Sequence, residues 1–151
     1  MHSITTSREL AIKLHKLNFI LQRISDQALQ AELGVSFSQF LTLTALKHRP
    51  GTSQAAVANF LGVTPAAVSR QIELLLRQKL ISKHPDSRNR RQSVLGLSAE
   101  GRETINRAIR ALDQTTAEAL APLGKRRQAE MLSHVETLLT AIRDPKDWLH
   151  G

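Results

Sequence analysis

The chain has 151 residues, with 21 Lys and Arg, 13 Asp and Glu, six His and no Cys. This length accommodates one or at most two small domains, and a hydrophobic share of 41% excludes an intrinsically disordered chain. The lack of Cys excludes disulfides, cysteine-based zinc fingers, iron–sulfur clusters and thiol redox switches.

Positive charge is concentrated in the middle of the chain. Residues 47–101 carry nine basic and three acidic side chains, a net charge of +6 within a formal total of +8. Residues 1–46 and 102–151 each carry a net charge of only +1. Such a dense positive field is typical of proteins that bind a polyanion or an anionic membrane surface, and a solvated basic loop is the alternative on charge alone.

Membrane insertion has no support in the sequence. No apolar run approaches the roughly 20 residues that span a bilayer. Arg8 and Glu9 stand where a signal peptide needs its apolar region. We therefore expect a cytoplasmic protein without a membrane partner.

Amphipathic helices are predicted for the first third of the chain. Between residues 8 and 31, apolar side chains recur every three or four positions, which predicts a long helix with one apolar face. Gly34 ends this helix. Ser36 and Gln39 have the spacing of a capping box that opens a second helix over residues 37–47.

Two short helices separated by a tight turn follow. Ser53, or the residue before it, is the predicted N-cap of a helix of about ten residues that ends at Gly62. Thr64 is a good N-cap for the next helix, and Pro65 suits its first position because it has no N–H to leave unpaired. This second helix is predicted over residues 65–79, and the pair has the pattern of a helix-turn-helix unit.

A β-hairpin and two more helices complete the prediction. Residues 80–84 and 93–97 are short apolar stretches on either side of a polar, basic loop, which predicts a hairpin with a charged tip. Ser98 caps a fifth helix, which Pro122 interrupts, and a last helix covers residues 125–143. The expected fold is therefore mainly α with a small β-hairpin.

The fourth helix is predicted to present a polar face opposite its apolar one. At 100° per residue, four apolar side chains fall within about 100° of one another and form a buried stripe: Val68, Ile72, Leu75 and Leu76. On the opposite face Arg70 can donate two hydrogen bonds to guanine, and Ser69 can bond a base edge or a phosphate. The residues predicted to contact DNA are Thr64, Pro65, Ala66, Ala67, Ser69, Arg70, Glu73 and Arg77, together with Ser53 and Gln54 at the start of the third helix.

An ordinary surface helix is the alternative to DNA recognition by the fourth helix. A surface helix would hold Arg70 and Glu73 in a solvent-exposed ion pair. The hairpin favours DNA binding, because arginines suit a wing that lies along the narrow, electronegative minor groove. The fourth helix, the hairpin and the concentrated charge together predict a winged helix-turn-helix. Its predicted wing contacts are Arg88, Asn89, Arg90 and Arg91.

These residues resemble the MarR family of bacterial transcriptional regulators, over nearly the whole chain. The family typically has Asp, any residue, Arg, five residues and Leu-Thr in its wing, and Asn89, Arg91 and Leu97-Ser98 fall at these spacings. Ser69-Arg70 matches the usual pair in the recognition helix. One departure is that Asn89 replaces an Asp that typically pairs with an Arg, so either Asp86 braces the wing or the wing is looser.

The resemblance implies one MarR-like domain over residues 1–151 that forms a homodimer. Residues 36–101 would be the DNA-binding region, and residues 8–33 and 102–145 the dimerisation helices. Two recognition helices about 34 Å apart would read a pseudo-palindrome. Terminal helices that fold back on their own domain are the alternative. The predicted dimer contacts are Leu10, Leu14, Leu17, Leu21, Met131, Val135, Leu138 and Ile142.

The resemblance also implies a repressor that a small-molecule effector releases from DNA. His15, Phe19, Phe40 and His48 are candidates to line an effector pocket, although such residues more commonly serve in cores or on surfaces. The sequence indicates no cofactor and no metal site, since no cluster of His and carboxylates has metal-ligand spacing. Without Cys, the thiol-based peroxide-sensing branch is excluded.

Two other function classes fit the sequence less well. The chain has no nucleophile elbow, P-loop, dinucleotide fingerprint or zinc-protease motif, so we do not expect an enzyme. A winged helix that binds RNA or a protein is the closer alternative. Readers of single-stranded RNA stack bases on aromatic rings, but residues 47–101 contain only Phe60, which we expect in the core.

Overall fold

The computed structural model describes residues 2–89 and 91–141, and the side chains among them from residue 5 onwards. The fold is mainly helical with one two-stranded antiparallel hairpin, which confirms the predicted class. The elements are α1 (His2–Leu33), α2 (Phe37–His48), α3 (Gln54–Leu61), α4 (Pro65–Arg77), β1 (Ile81–Pro85), β2 (Ser93–Leu97), α5 (Ala99–Leu120) and α6 (Gly124–Ala141). A 3-10 turn, Ala121–Leu123, lies between α5 and α6.

The predicted boundaries hold to within a few residues, with one larger difference. α1 begins at His2, six residues before the first predicted position, because the helix extends beyond the apolar repeat that revealed it. The predicted end of the last helix, at residue 143, lies outside the described residues. By its internal contacts the chain divides into two compact units, residues 1–115 and 116–151, so the single MarR-like domain stays a prediction.

The predicted capping box at the start of α2 is confirmed. The Ser36 hydroxyl accepts the N–H of Gln39 at 3.1 Å, and the Gln39 Oε1 accepts the N–H of Ser36 at 2.7 Å. One carboxylate oxygen of Asp26, on α1, accepts the N–H of Phe37 at 2.9 Å. The first turn of α2 is thus held both by its own cap and by α1.

The turn between α3 and α4 depends on Gly62. Its φ of +69° lies in the left-handed region that glycine adopts without penalty, and its N–H donates to the carbonyl oxygen of Ala58 at 2.9 Å. Thr64 Oγ1 then accepts the N–H of Ala67 at 3.2 Å, and Pro65 takes the first position of α4. The helix-turn-helix signal in the sequence is therefore confirmed.

The apolar stripe of α4 is buried, as predicted, and the helix packs against α2 and α3. Val68, Ile72 and Leu75 are all buried, and Leu76 is half-buried at the edge of the stripe. Burying a side chain of this size contributes about 1.5–3 kcal/mol. The core that the stripe joins also contains Leu29, Val35, Leu43, Leu46, Val57, Leu80, Ile81, Leu95, Ile105 and Ala108.

A left-handed residue carries the chain from α4 into β1. Lys79 has a φ of +59°, its N–H donates to the Leu76 carbonyl oxygen, and the Leu80 N–H donates to the Leu75 carbonyl oxygen, both at 3.0 Å. This pair of bonds defines a Schellman motif, which is usually sealed by an apolar contact. The buried side chains of Leu75 and Leu80 occupy the positions of that contact.

The hairpin is joined to the segment that precedes α3. β1 and β2 pair antiparallel, from Ile81 opposite Leu97 to Pro85 opposite Ser93. Leu95 also donates its N–H to the Thr52 carbonyl oxygen at 2.8 Å and accepts the N–H of the residue before Thr52. The sequence predicts no strand pairing for Thr52, because nothing local indicates a partner more than 40 residues away.

No helix in the described part of the chain is both long and apolar enough to cross a membrane.

Gly101 gives a test of the packing between α5 and the start of the hairpin. A Cβ at this position would lie 1.9 Å from the backbone oxygen of Leu80, so Gly101→Ala should force the two backbones apart and lower the free energy of unfolding by about 2–3 kcal/mol. Gly96→Ala is the control, since its Cβ would meet only the Ser82 Oγ at 3.7 Å. Urea unfolding at one fixed protein concentration measures both variants, and equal stabilities would contradict the contact.

Candidate nucleic-acid interface

The polar face of α4 is open to solvent. All eight residues predicted from Thr64 to Arg77 are exposed, and the stripe on the opposite side is buried. Ala66 and Ala67 have short side chains, so another molecule can approach the helix N-terminus closely. The structure therefore brings the predicted recognition residues together on one accessible surface.

Of the two arginines of α4, one forms an ion pair within the helix and the other does not. Arg77 forms an ion pair with Glu73, one helical turn earlier, and both side chains are exposed. Among the described residues, Arg70 has no hydrogen-bond or ion-pair partner. The alternative pairing of Arg70 with Glu73 is therefore wrong, since the carboxylate reaches towards the C-terminal end of the helix. The Arg70 guanidinium is free to meet a ligand.

A groove separates the N-terminus of α3 from the hairpin. Ser53 and Gln54 are half-buried there, and Ser53 caps α3 by accepting the N–H of the third residue along at 3.2 Å. The groove has a volume of about 290 Å³ and is also lined by Lys83 of β1 and by Gln92, the residue before β2. Nothing local in the sequence marks Lys83 as part of this groove, because its place beside α3 depends on the fold.

Hydrogen bonds to the main chain shape the tip of the hairpin. Asp86 Oδ1 accepts the N–H of Arg88 at 2.9 Å, and Asn89 Oδ1 accepts the N–H of Arg91 at 3.2 Å. Both side chains thus brace the loop by accepting the backbone N–H groups of arginines. Among the described residues, no ion pair forms between a carboxylate and a guanidinium of the tip.

The tip therefore does not need the Asp that the MarR pattern has at position 89. Asn89 supplies the one acceptor oxygen that the turn uses, and an amide does this as well as a carboxylate. The side chains of Arg88 and Arg91 are exposed and available to a polyanion. Arg90, the third predicted arginine, lies outside the described residues.

Phe60 is not in the core, contrary to the sequence-based expectation. Its side chain is 47% exposed, and the guanidinium carbon of Arg49 lies over the ring at 5.4 Å from its centre. A helical period alone could not distinguish this outward position from a buried one. Because a cation already covers one ring face, the residue is a poor platform for stacking a base.

The predicted dimer and effector residues lie mostly at the surface. Leu10, Leu14 and Leu138 are exposed, whereas Leu17, Leu21, Met131 and Val135 are half-buried, and Ile142 lies outside the described residues. His15, Phe19 and His48 are exposed. Phe40 is half-buried and stacks on Phe37, with ring centres 5.9 Å apart.

Two further cavities of the first unit are lined by other residues. One, of about 290 Å³, lies between α2, β2 and α5, with Lys47, Arg102 and Asn106 at apolar walls. The other, of about 90 Å³, lies between α2 and α4 and is lined in part by Gln71, whose buried Oε1 has no hydrogen-bond partner among the described residues. Within residues 2–89 and 91–141, no three His, Cys, Asp or Glu side chains cluster as metal ligands do.

These features define a winged helix-turn-helix protein, and comparisons with known proteins give its family. Residues 33–92 match the sequence profile of the MarR family. An uncharacterized HTH-type transcriptional regulator of Mycobacterium bovis is 30% identical over 110 residues, which are 73% of this chain and 76% of that protein. The chain belongs to the MarR family and is a transcriptional regulator of the MarR type.

Other relatives agree in sequence and in fold. An HTH-type transcriptional repressor of Mycobacterium tuberculosis is 27% identical over 129 residues, 85% of this chain and 92% of that protein. A mutant MarR from E. coli complexed with operator DNA has a TM-score of 0.77 at 17% identity, over 87% of this chain and 94% of that one. The PcaV regulator from Streptomyces coelicolor, in complex with its natural ligand, has a TM-score of 0.67 at 24% identity, over 87% of this chain and 90% of that one. Relatives and fold indicate a transcription regulator rather than an enzyme.

The ion pair between Glu73 and Arg77 gives a test of whether α4 faces a polyanion. Glu73→Gln removes one negative charge and releases the guanidinium, so affinity for any duplex should rise several-fold and the slope of log K against log salt should steepen by about 1. Fluorescence anisotropy over a salt series measures both quantities. Glu130→Gln is the matched control, because it breaks the same kind of pair with Arg126 on α6. If both variants bind alike, α4 does not face the nucleic acid.

Proposed function

We propose that the protein is a homodimeric repressor that binds a pseudo-palindromic operator in double-stranded DNA. The observation that carries this proposal is the unpaired, exposed Arg70 on the small-residue face of α4. A guanidinium in that position can donate two parallel hydrogen bonds to O6 and N7 of a guanine in the major groove. The arginines of the hairpin tip would contact the adjacent minor groove or the phosphates.

The contacts that we assign follow from the exposed surface. Ala66 and Ala67 allow close approach and can meet a thymine methyl group, and Ser69 can bond a base edge or a phosphate. Ser53 and Gln54 lie at the other wall of the groove that contains Lys83. Contacts to phosphate would set the register of the protein on DNA, whereas Arg70 would carry sequence information.

Exposed apolar side chains on the terminal helices support a homodimer. On α1, Ile12 is 61% and Phe19 65% exposed, and the two lie seven residues, or two turns, apart. On α6, Leu132 is 59% and Leu139 73% exposed, again seven residues apart. Apolar patches of this kind mark interaction surfaces. None of these four was among the predicted dimer contacts, which followed a different apolar stripe.

The proposals that the protein represses transcription and that an effector releases it from DNA are based on relatives. The Mycobacterium tuberculosis relative is a repressor by name, and PcaV was crystallised with a natural ligand. A protein bound at a promoter blocks polymerase, and a small molecule that changes the separation of two recognition helices would release it. Selection of bound fragments from genomic DNA, followed by a promoter-reporter assay with and without the gene, tests operator binding and the sign of regulation together.

Arg70→Ala should remove base recognition without abolishing DNA binding. We expect a loss of about 1–3 kcal/mol on the selected duplex and relaxed preference at one base pair per half-site, because the paired donors to one guanine are lost. Binding to a scrambled duplex should change much less. Competition titrations against a set of single-base operator variants measure the preference.

Arg91→Ala is the contrasting variant for this test. A wing contact to phosphate should weaken all duplexes alike and reduce the salt slope by about 1. If Arg70→Ala discriminates between operator and scrambled DNA as well as the wild type does, the recognition-helix assignment is wrong.

Ile12→Asp should weaken the dimer, since it places a charge in an apolar contact that a second chain would bury. We expect sedimentation velocity to shift towards a monomer at micromolar concentration, with operator affinity falling because a monomer reads one half-site. Asn18→Asp adds the same charge at an exposed polar position of α1 and is the control. A wild-type protein that sediments as a monomer under DNA-binding conditions would overturn the homodimer.

A further inference from the structure

Two glutamine side chains join α2 to the C-terminal end of α4. The Nε2 of Gln39 donates to the Oε1 of Gln78 at 2.9 Å, and the Nε2 of Gln78 donates to the carbonyl oxygen of Gly34 at 3.3 Å. Gln39 is only 5% exposed and also accepts the N–H of Ser36 through its Oε1. Gln78 is the C-cap residue of α4. The four residues form one continuous chain of hydrogen bonds.

The direction of this chain is fixed at both ends by the backbone. It begins at an N–H, that of Ser36, and ends at a carbonyl oxygen, that of Gly34, and neither group can exchange donor for acceptor. Each amide therefore has only one orientation that satisfies both of its neighbours. If Gln39 were flipped, its NH₂ group would face the Ser36 N–H, and if Gln78 were flipped, its oxygen would face the Gly34 carbonyl.

These hydrogen bonds link the C-terminal end of α4 to the connection between α1 and α2. Gly34 and Ser36 belong to the short connection between α1 and α2, and Asp26 of α1 accepts the N–H of Phe37 beside it. Apolar contacts have no preferred direction, so the buried stripe allows α4 to slide and tilt by small amounts. Directional hydrogen bonds at the helix end restrict those movements.

We propose that Gln39 and Gln78 are positioning residues that set the placement of α4 on DNA and thereby its sequence preference. Gln39 is buried and acts only through Gln78, which is exposed at the C-terminal end of α4. The proposal rests on the proposed reading of DNA by α4. Neither glutamine is among the residues that we assign to base contacts. Their hydrogen bonds join the connection between α1 and α2 to α4.

The substitution Gln39→Glu tests the bond between Gln39 and Gln78 while it keeps the capping box. Glutamate at the third position of a helix is a standard capping-box residue, so the carboxylate can still accept the Ser36 N–H. The variant loses the donor to Gln78. Gln78 can bond the carboxylate only if its amide turns over, and this places its oxygen against the Gly34 carbonyl oxygen and breaks the second bond of the link. We expect about tenfold weaker binding, at pH 8, to a duplex that the wild type selected from a random pool, which corresponds to the loss of about one hydrogen bond. Binding to a scrambled duplex should change less than about twofold.

Protonation of the carboxyl introduced by Gln39→Glu should restore the link. A neutral carboxylic acid at this position has one accepting oxygen for Ser36 and one O–H donor for Gln78, as the amide has. Burial raises the pKa of such a carboxyl, so the donor is present at low pH and lost as the pH rises. The ratio of variant to wild-type Kd on the selected duplex should therefore fall towards one as the pH decreases from about 8 to about 5.5.

A second variant provides rescue by a different chemistry. Gln78→Lys alone places a cation opposite the Gln39 NH₂ group and breaks the link. In Gln39→Glu/Gln78→Lys, the ammonium can donate both to the new carboxylate and to the Gly34 carbonyl oxygen. The double variant has the wild-type net charge. Its specific affinity should exceed the value expected from the two single changes added together, and the general effect of charge on DNA binding cancels in this cycle.

A measurement without DNA separates this proposal from the proposed function. In the ¹H–¹⁵N spectrum of the free protein, the side-chain amide resonances of Gln78 should shift in Gln39→Glu at pH 8 and return at low pH. Ile105→Val, a core change elsewhere in the first unit, is a control for lost stability and should leave the operator-to-scrambled ratio unchanged.

The possible outcomes lead to different conclusions. Loss of sequence preference that both low pH and the lysine rescue restore supports the proposal. If the wild type selects a sequence and Gln39→Glu retains that preference at pH 8, the positioning role is wrong while the proposed function stands. Failure of the wild type to select any sequence contradicts the proposed function, and unshifted Gln78 resonances in the variant independently contradict the link.

Discussion

Burial of one apolar stripe on α4 determines the orientation of every side chain that we propose to contact bases. Val68, Ile72 and Leu75 face α2 and α3, so Ser69 and Arg70 must face solvent. Turning the helix by two residues, about 200°, would expose this stripe and bury Arg70 without a partner, and an unpaired buried charge is strongly unfavourable. The DNA-facing surface is therefore a consequence of core packing.

Leu80 extends this constraint to the hairpin and to α5. Its N–H completes the Schellman motif of α4, its carbonyl oxygen accepts the N–H of Ser98, and Gly101 packs directly against that carbonyl group. The bridge between Thr52 and Leu95 ties the hairpin to the entrance of α3. These backbone contacts hold the hairpin beside the helix-turn-helix, which is the arrangement that a wing requires.

Charge and apolar surface are separated along the chain. The middle segment carries most of the net charge and presents it on α4 and at the hairpin tip, where Arg70 and the exposed tip arginines have no carboxylate partner among the described residues. α1 and α6 instead present large apolar side chains to solvent. This separation allows a second copy of the chain to cover apolar surface without neutralising the basic surface.

The sequence by itself determined the order of elements, the caps at Ser36, Ser53 and Thr64, the turn at Gly62 and the buried face of α4. Each of these depends on residues within a turn or two of one another, where periodicity and capping chemistry are informative. Only the tertiary structure decided that Phe60 faces outward under Arg49, that Thr52 pairs with β2, and that Gln39 bonds to Gln78. Those contacts join positions far apart in sequence, and an exposed or polar side chain gives no local signal of the partner that the fold brings to it.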